Sequence, residues 1–120
     1  MMQYIFDTCG LIVLGYYYAG RFPSLWQRIE DLALAGRLMS VREVLRELDG
    51  RARQAHLRDW IARNRSLFAV PTPEELQIVR QILAVPHFQQ VVGRQQMQKG
   101  TPVADPFVVA AASARHACVV

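Results

Sequence analysis

Four acidic residues that are far apart in the sequence stand where a parallel sheet would bring their side chains together. Asp7 directly follows a short apolar run, Glu43 and Glu47 follow a later one, and Asp105 opens an apolar segment near the end of the chain. Ligands of open parallel sheets collect at the carboxyl ends of the strands. Carboxylates that converge there repel each other unless a divalent cation such as Mg²⁺ or Mn²⁺ lies between them. The pattern therefore predicts a metal site, and on a phosphodiester such an ion would activate a water and stabilise the leaving oxygen.

Each of these residues also has an ordinary structural interpretation. Asp7 could serve only as the N-cap of the helix that follows it. Glu43 and Glu47 are one helical turn apart and could form a solvated face. Asp105 precedes Pro106, and an Asp N-cap followed by Pro is a common sequence pattern at the start of a helix. The metal interpretation rests on the placement of these residues relative to the strands.

The elements that would position these side chains alternate along the chain. Short apolar runs predict four strands, at residues 3–6, 37–40, 66–70 and 117–120. Helical spacing predicts helices at 9–18, 25–36, 41–50, 53–64, 73–85, 87–98 and 106–116, with Ser24, Ser40 and Thr72 as N-caps and Pro86 as an interruption. Strands that alternate with helices predict an α/β fold with three layers, in which a parallel sheet of about four strands is covered by helices on both faces.

Composition limits the class of protein. The chain has 120 residues, of which 52% are hydrophobic, so we expect one globular domain over residues 1–120. It contains neither an apolar run long enough to span a membrane nor the pattern of a secretory signal, so we expect a cytoplasmic protein. Cys9 and Cys118 could form a disulfide, but reduced thiols are the expectation in that compartment.

The net charge of +4 comes almost entirely from arginine, because Lys99 is the single lysine. Guanidinium groups pair in a bidentate manner with phosphate and with carboxylate. A solvated basic surface is the alternative explanation of such a modest surplus. Residues that could guide a nucleic-acid backbone are Arg21, Arg51, Arg53, Arg58 and Arg94.

Three stretches together resemble the PIN-domain nucleases, the fold of VapC-type toxins. They are "YIFDTCGLI", "LMSVREVLREL" and "ADPFVVAAASARHACVV", and the resemblance runs from end to end of the chain. The segment "SLWQRIEDLALAGRLMS" looks most like a PIN-like branch catalogued as a domain of unknown function. By position, the resemblance implies that Asp7, Glu47 and Asp105 are the catalytic metal ligands, with Glu43 as the fallback for the second acid.

The resemblance also implies supporting roles and shows departures. Thr8 would support the first carboxylate by a hydrogen bond, and Ser40 matches the position that opens the acid-bearing helix. Cys9 stands where the family usually has Asn or Ser. The family continues beyond Val120 with a further acidic residue and a last strand, so we expect a form of the fold that lacks both.

The function that the resemblance implies is a Mg²⁺- or Mn²⁺-dependent endoribonuclease, the toxin of a bacterial toxin–antitoxin pair. Its partners would be an RNA substrate and a cognate antitoxin protein, with no membrane. A homodimer is expected because "LIVLGYYYAG" carries more apolar surface than one buried face requires and a sheet edge would be unpaired. The alternative is a catalytically inactive PIN-like module that binds a partner protein or RNA.

Overall fold

The sheet has four strands, all parallel, in the order β3-β2-β1-β4. A computed structural model describes residues 2–87 and 104–120. The strands are β1 at Tyr4–Ile5, β2 at Leu38–Val41, β3 at Phe68–Ala69 and β4 at Cys118–Val119. All four predicted strands are confirmed, although three are shorter than predicted. A 3₁₀ turn at Arg65–Leu67 takes up the start of the predicted third strand.

Six α-helices lie in the described ranges. They are α1 at Thr8–Leu14, α2 at Pro23–Leu34, α3 at Arg42–Leu48, α4 at Ala55–Arg63, α5 at Pro73–Ala84 and α6 at Asp105–Arg115. The helix predicted at 87–98 lies outside the described residues except for His87. The predicted end of α5 before Pro86 is confirmed, since the helix stops at Ala84.

The connections between strands divide the helices into two layers. The crossovers from β1 to β2 and from β2 to β3 step in one direction, whereas the connection from β3 to β4 returns across the sheet. Because crossovers between parallel strands are right-handed, the helices that precede β3 cover one face and α5 and α6 cover the other. The predicted three-layer α/β architecture with a four-stranded parallel sheet is confirmed.

The core lies between these layers and contains the central strands. Ile5 on β1 and Val41 on β2 are fully buried, as are Leu11 on α1, Val44 on α3 and Leu57 on α4. These apolar side chains hold α1 and α3 against the strands, and both helices begin at the edge where β1 and β2 end.

Two of the three predicted N-caps are wrong. The second helix begins at Pro23, so Ser24 lies inside its first turn, and no side chain caps it. Proline is well suited to the first helical position because its fixed φ matches the helix and its missing N–H would have had no partner there. Thr72 is confirmed as an N-cap, and with Glu75 it forms a complete capping box.

Candidate metal centre

The first predicted acid, Asp7, lies at the switch point of the sheet. Its strand, β1, pairs with β2 on one side and with β4 on the other. Those two neighbours are reached through helices on opposite faces, so a crevice opens at the carboxyl end of β1. Asp7 follows that strand by two residues and precedes the first residue of α1.

The backbone around Asp7 is held from both neighbouring strands. Its amide donates to the carbonyl oxygen of Val120 at 2.9 Å. On the other side, the hydroxyl of Ser40 donates to the carbonyl oxygen of Phe6 at 2.6 Å. The backbone of Asp7 is therefore fixed before its side chain makes any contact, which preorganises the carboxylate.

Asp7 also caps the helix that it precedes. Its Oδ1 accepts a hydrogen bond of 2.7 Å from the amide of Thr8, while Oδ2 accepts none within the described residues. The structural interpretation of Asp7 as an N-cap is thus confirmed. It does not exclude metal binding, because a carboxylate has several lone pairs and Oδ2 retains its own.

Glu47 is the acid that the fold brings to Asp7. The hydroxyl of Thr8 donates to Glu47 Oε2 at 2.5 Å, and the amide of Ala104 donates to Oε1 at 2.9 Å. The predicted hydrogen bond from Thr8 to the first carboxylate is present, but the amide of Thr8 makes it and the hydroxyl bonds to Glu47 instead. Because Thr8 bonds to Asp7 through its amide and to Glu47 through its hydroxyl, it links the two acids.

Asp105 joins the same group of charges from the start of α6. Partial burial of its carboxyl is the largest cause that raises the pKa of Asp105 above its ordinary value, and the nearby carboxylates of Asp7 and Glu47 raise it further. Asp105 is the first residue of α6 and makes no capping bond, since the N-cap position belongs to Ala104. The interpretation of Asp105 as an N-cap is thus wrong, and its carboxylate accepts no hydrogen bond from residues 2–87 or 104–120.

Glu43 contacts Arg42, and Ser40 contacts the backbone beside Asp7. Glu43 is buried, and its Oε1 accepts two hydrogen bonds from Arg42, at 2.9 and 3.2 Å. Glu43 is not among the carboxylates that raise the pKa of Asp105. Ser40 does not cap α3, because it lies inside β2 and Val41 precedes the helix. It supports the site instead through its bond to the backbone beside Asp7.

The donor set of this site fits a hard divalent cation. Asp7, Glu47 and Asp105 offer carboxylate oxygens, which Mg²⁺ and Mn²⁺ prefer, and their mutual repulsion would be relieved by positive charge. Across residues 2–87 and 104–120, however, no group of three or more His, Cys, Asp or Glu side chains is placed so that it could hold a metal ion directly. Both oxygens of Glu47 are already engaged by hydrogen bonds from the chain.

Two supporting features were not found by sequence reasoning. The first is the backbone amide of Ala104, which positions Glu47 and which no side-chain pattern could indicate. The second is Gly10, where a Cβ atom would lie 2.6 Å from the carbonyl oxygen of Val120 and 3.0 Å from Phe6 Cδ1. A glycine three residues after a strand-ending Asp was available as a signal for such a close approach of helix and strand.

Fold and site together define a doubly wound α/β protein with an acidic cluster at the switch point of its sheet. Residues 4–120 match the family described as "Domain of unknown function (DUF4411)", and the chain belongs to that family. No curated protein and no solved structure matches the chain. In the described ranges, no helix has the length and apolar character needed to cross a membrane.

Proposed function

We propose that this protein is a metal-dependent endoribonuclease of the PIN type. The observation that carries the proposal is the linkage of Asp7 to Glu47 through Thr8 and of Glu47 to the residue before Asp105. Asp7 and Glu47 are thereby tied together, and both act electrostatically on Asp105, at the edge where ligands of doubly wound sheets bind. The ordered motifs around these residues, which resemble those of PIN-domain nucleases, support the same conclusion.

The chemistry of the site suits phosphodiester hydrolysis. A bound Mg²⁺ or Mn²⁺ would supply the charge that activates a water and stabilises the leaving oxygen. Asp7, Glu47 and Asp105 would hold that ion. Thr8 and the amide of Ala104 fix the orientation of Glu47, so that its oxygens need not reorganise when the cation arrives.

Cleavage of an end-labelled single-stranded RNA tests the proposal. We expect cleavage in Mg²⁺ or Mn²⁺, none after chelation with EDTA, and none in the Asp7→Asn variant. The matched control is Asp59→Asn, which makes the same charge change at an exposed position on α4. Metal-independent cleavage, or equal cleavage by Asp7→Asn, would show that the acidic cluster is not a nuclease site.

We also propose that the enzyme is the toxin of a bacterial toxin–antitoxin pair, acts in the cytoplasm and forms a homodimer. The support for self-association is the apolar surface between α1 and α2, where Val13, Tyr17, Tyr18 and Phe22 are exposed. Light scattering at micromolar concentration tests the dimer, and a monomer mass would contradict it. Growth arrest on expression, relieved by the product of the neighbouring gene, tests the toxin role.

A second candidate function is a PIN-like module that binds RNA or a partner protein without cleaving it. It is favoured by the finding that, within the described part of the chain, no three acidic side chains are placed to hold an ion directly. Labelled RNA that is bound by the wild-type chain but never cleaved in Mn²⁺ would favour this second function over the first.

A further inference from the structure

The turn that joins α3 to α4 carries an unusual concentration of positive charge. Five exposed arginines, which we call the arginine surface, lie on it or beside it: Arg46, Arg51, Arg53, Arg58 and Arg65. None of them forms an ion pair with any residue in the described ranges, where the two ion pairs are those of Arg42 with Glu43 and of Arg115 with Glu75. Arg58 donates from Nη1 to the carbonyl oxygen of Arg53 at 3.0 Å, so its guanidinium is held against the turn. Guanidinium groups that have no carboxylate partner are available to an anionic ligand.

The conformation of this turn spreads the arginines to two sides. The carbonyl oxygen of Leu48 accepts hydrogen bonds from the amides of Arg51 and Ala52, at 2.9 and 3.0 Å. Gly50 has φ of +81°, in the left-handed region that favours glycine, and nothing lies within 4 Å of the position of a Cβ atom there. The chain therefore reverses sharply at Gly50 and leaves open space around it.

Two clefts flank Gly50, and each contains arginines. The first has a volume of about 280 Å³, and its charged lining consists of Arg46, Arg58 and Arg65 together with one acid, Asp49. The second has a volume of about 250 Å³ and is lined by Arg51 and Arg53 together with Tyr16 and Ile12. Tyr16 is 65% exposed, so its ring is accessible to a ligand. Basic groups interleaved with an accessible aromatic ring form a typical binding surface for single-stranded nucleic acid.

The clefts begin close to the acidic cluster. Glu47 lies between Arg46 and the end of α3, three residues before Gly50. On the other wall, Thr8 contacts Glu47, and Ile12 follows Thr8 by about one helical turn, a rise of roughly 6 Å along α1. A single strand bound in the second cleft would thus lie about one turn of α1 from Thr8, the residue that contacts Glu47.

We propose that the arginine surface and Tyr16 bind the single-stranded RNA on one side of the phosphodiester that is cut, with phosphates on the arginines and an unstacked base on Tyr16. This inference rests on the proposed nuclease function. It specifies a single strand because only a single strand can present an unpaired base for stacking, whereas the bases of an A-form duplex are paired and stacked. Of the five arginines that the sequence suggested as contacts for RNA, Arg51, Arg53 and Arg58 line the two clefts. Arg21 lines neither cleft, and Arg94 lies outside the described residues.

Fluorescence anisotropy with a labelled single-stranded RNA tests this proposal in the full-length Asp7→Asn protein, which is not expected to cleave its ligand. The double variant Arg51→Gln/Arg53→Gln should weaken binding. It should also lower the slope of log K against log salt by about 1.4, or about 0.7 for each lost phosphate contact. Tyr16→Ala should weaken binding by about 5- to 100-fold with an unchanged salt slope. The control is Arg28→Gln/Arg80→Gln, which removes equal charge from exposed positions on α2 and α5.

Three results would overturn the proposal. The control double variant could reduce binding and salt slope as much as the test variant, which would make the effect one of net charge. A duplex of the same sequence could bind as tightly as the single strand. Poly-glutamate could bind more tightly than RNA through the same arginines, which would assign the surface to an acidic protein. RNA cleavage by the wild-type protein is measured in a separate experiment. Binding without cleavage would contradict the nuclease function but leave the proposed RNA-binding surface intact.

Discussion

The hydroxyl group of Thr8 and the carboxylate of Glu47 are joined by a hydrogen bond of 2.5 Å although the two residues are 39 positions apart. Thr8 is buried at the start of α1, and Glu47 lies near the end of α3. The contact holds the last turn of α3 against the start of α1, while Val44 and Leu48 of the same helix are buried in the core.

Replacement of Thr8 by Val should loosen Glu47 without a change in side-chain shape. The loss of a buried donor to a charged acceptor should lower the free energy of unfolding by about 1–2 kcal/mol. RNA cleavage should fall about 10- to 100-fold, as when other groups that orient a metal ligand are removed. Urea denaturation and cleavage rates measure the two effects. Thr8→Ser, which keeps the hydroxyl, should retain most of both, and a loss equal to that of Thr8→Val would contradict the assigned hydrogen bond.

Asp105→Asn should stabilise the metal-free protein at neutral pH. Because burial and its neighbours raise the pKa of Asp105 above 3.8, the folded state binds this proton more strongly than the unfolded state does. The favourable contribution of protonated Asp105 to the free energy of unfolding is complete below pH 3.8. It is lost as the pH rises through the higher pKa that Asp105 has in the folded protein. Asn avoids that loss, so its advantage in melting temperature should appear above that pH range and vanish below it.

Melting curves in EDTA between acidic and neutral pH measure this difference. Asp59→Asn makes the same change in net charge on α4 and should show no such pH-dependent gain. Addition of Mn²⁺ should stabilise the wild-type chain more than the Asp105→Asn variant. An Asp105→Asn protein that is less stable than wild type at neutral pH in EDTA would refute the electrostatic account of this site.

Glu47→Gln should abolish Mn²⁺ binding, whereas Glu43→Gln should leave it intact. Glu47 faces Asp7 through Thr8, while the side chain of Glu43 bonds to Arg42. In the wild-type chain we expect one ion with a dissociation constant of micromolar or weaker, because three carboxylates supply limited charge and rigidity. Calorimetric titration with Mn²⁺ compares the three proteins. Binding that survives in Glu47→Gln and disappears in Glu43→Gln would show that Glu43, and not Glu47, is the metal ligand.

Gly10→Ala should destabilise the protein by about 1–3 kcal/mol, since the new methyl group would lie 2.6 Å from the backbone oxygen of Val120 and force α1 away from the end of β4. That oxygen also accepts the hydrogen bond from the amide of Asp7, so Mn²⁺ binding should weaken as well. Gly20→Ala is the matched control, because nothing lies within 4 Å of its Cβ position and it should be nearly neutral. Equal losses in both variants would rule out this close approach.

The sequence predicted the sheet well because its strands are short apolar runs separated by helices. Such runs are typical of strands that are buried on both faces, so they belong to the central layer of the fold. It misassigned Ser40, since a serine at the end of a strand and a serine before a helix look alike in sequence. The difference is tertiary: the hydroxyl of Ser40 finds the carbonyl oxygen of Phe6 on the neighbouring strand. Local capping rules contain no term for such a partner.

The choice between Glu43 and Glu47 as the second acid also depends on partners that are distant in sequence. The two residues are one turn apart on one helix face, so periodicity cannot separate them. The separation comes from two bonds that Glu47 receives from residues distant in sequence, Thr8 and Ala104. The position of Asp105 at the sheet edge followed from the topology of parallel strands, but its lack of a capping bond depends on the exact start of α6.

The pairing of β1 with β4 has a consequence for protein synthesis. During translation, Asp7 leaves the ribosome early, but its amide finds the carbonyl oxygen of Val120 only after β4 has emerged. The amide of Ala104, which holds Glu47, and the carboxylate of Asp105 are likewise made more than 50 residues after Glu47. From the synthesis of Asp7 until that of Asp105, the nascent polypeptide therefore carries its acids in separate places, and the acids come together only when β4 pairs with β1.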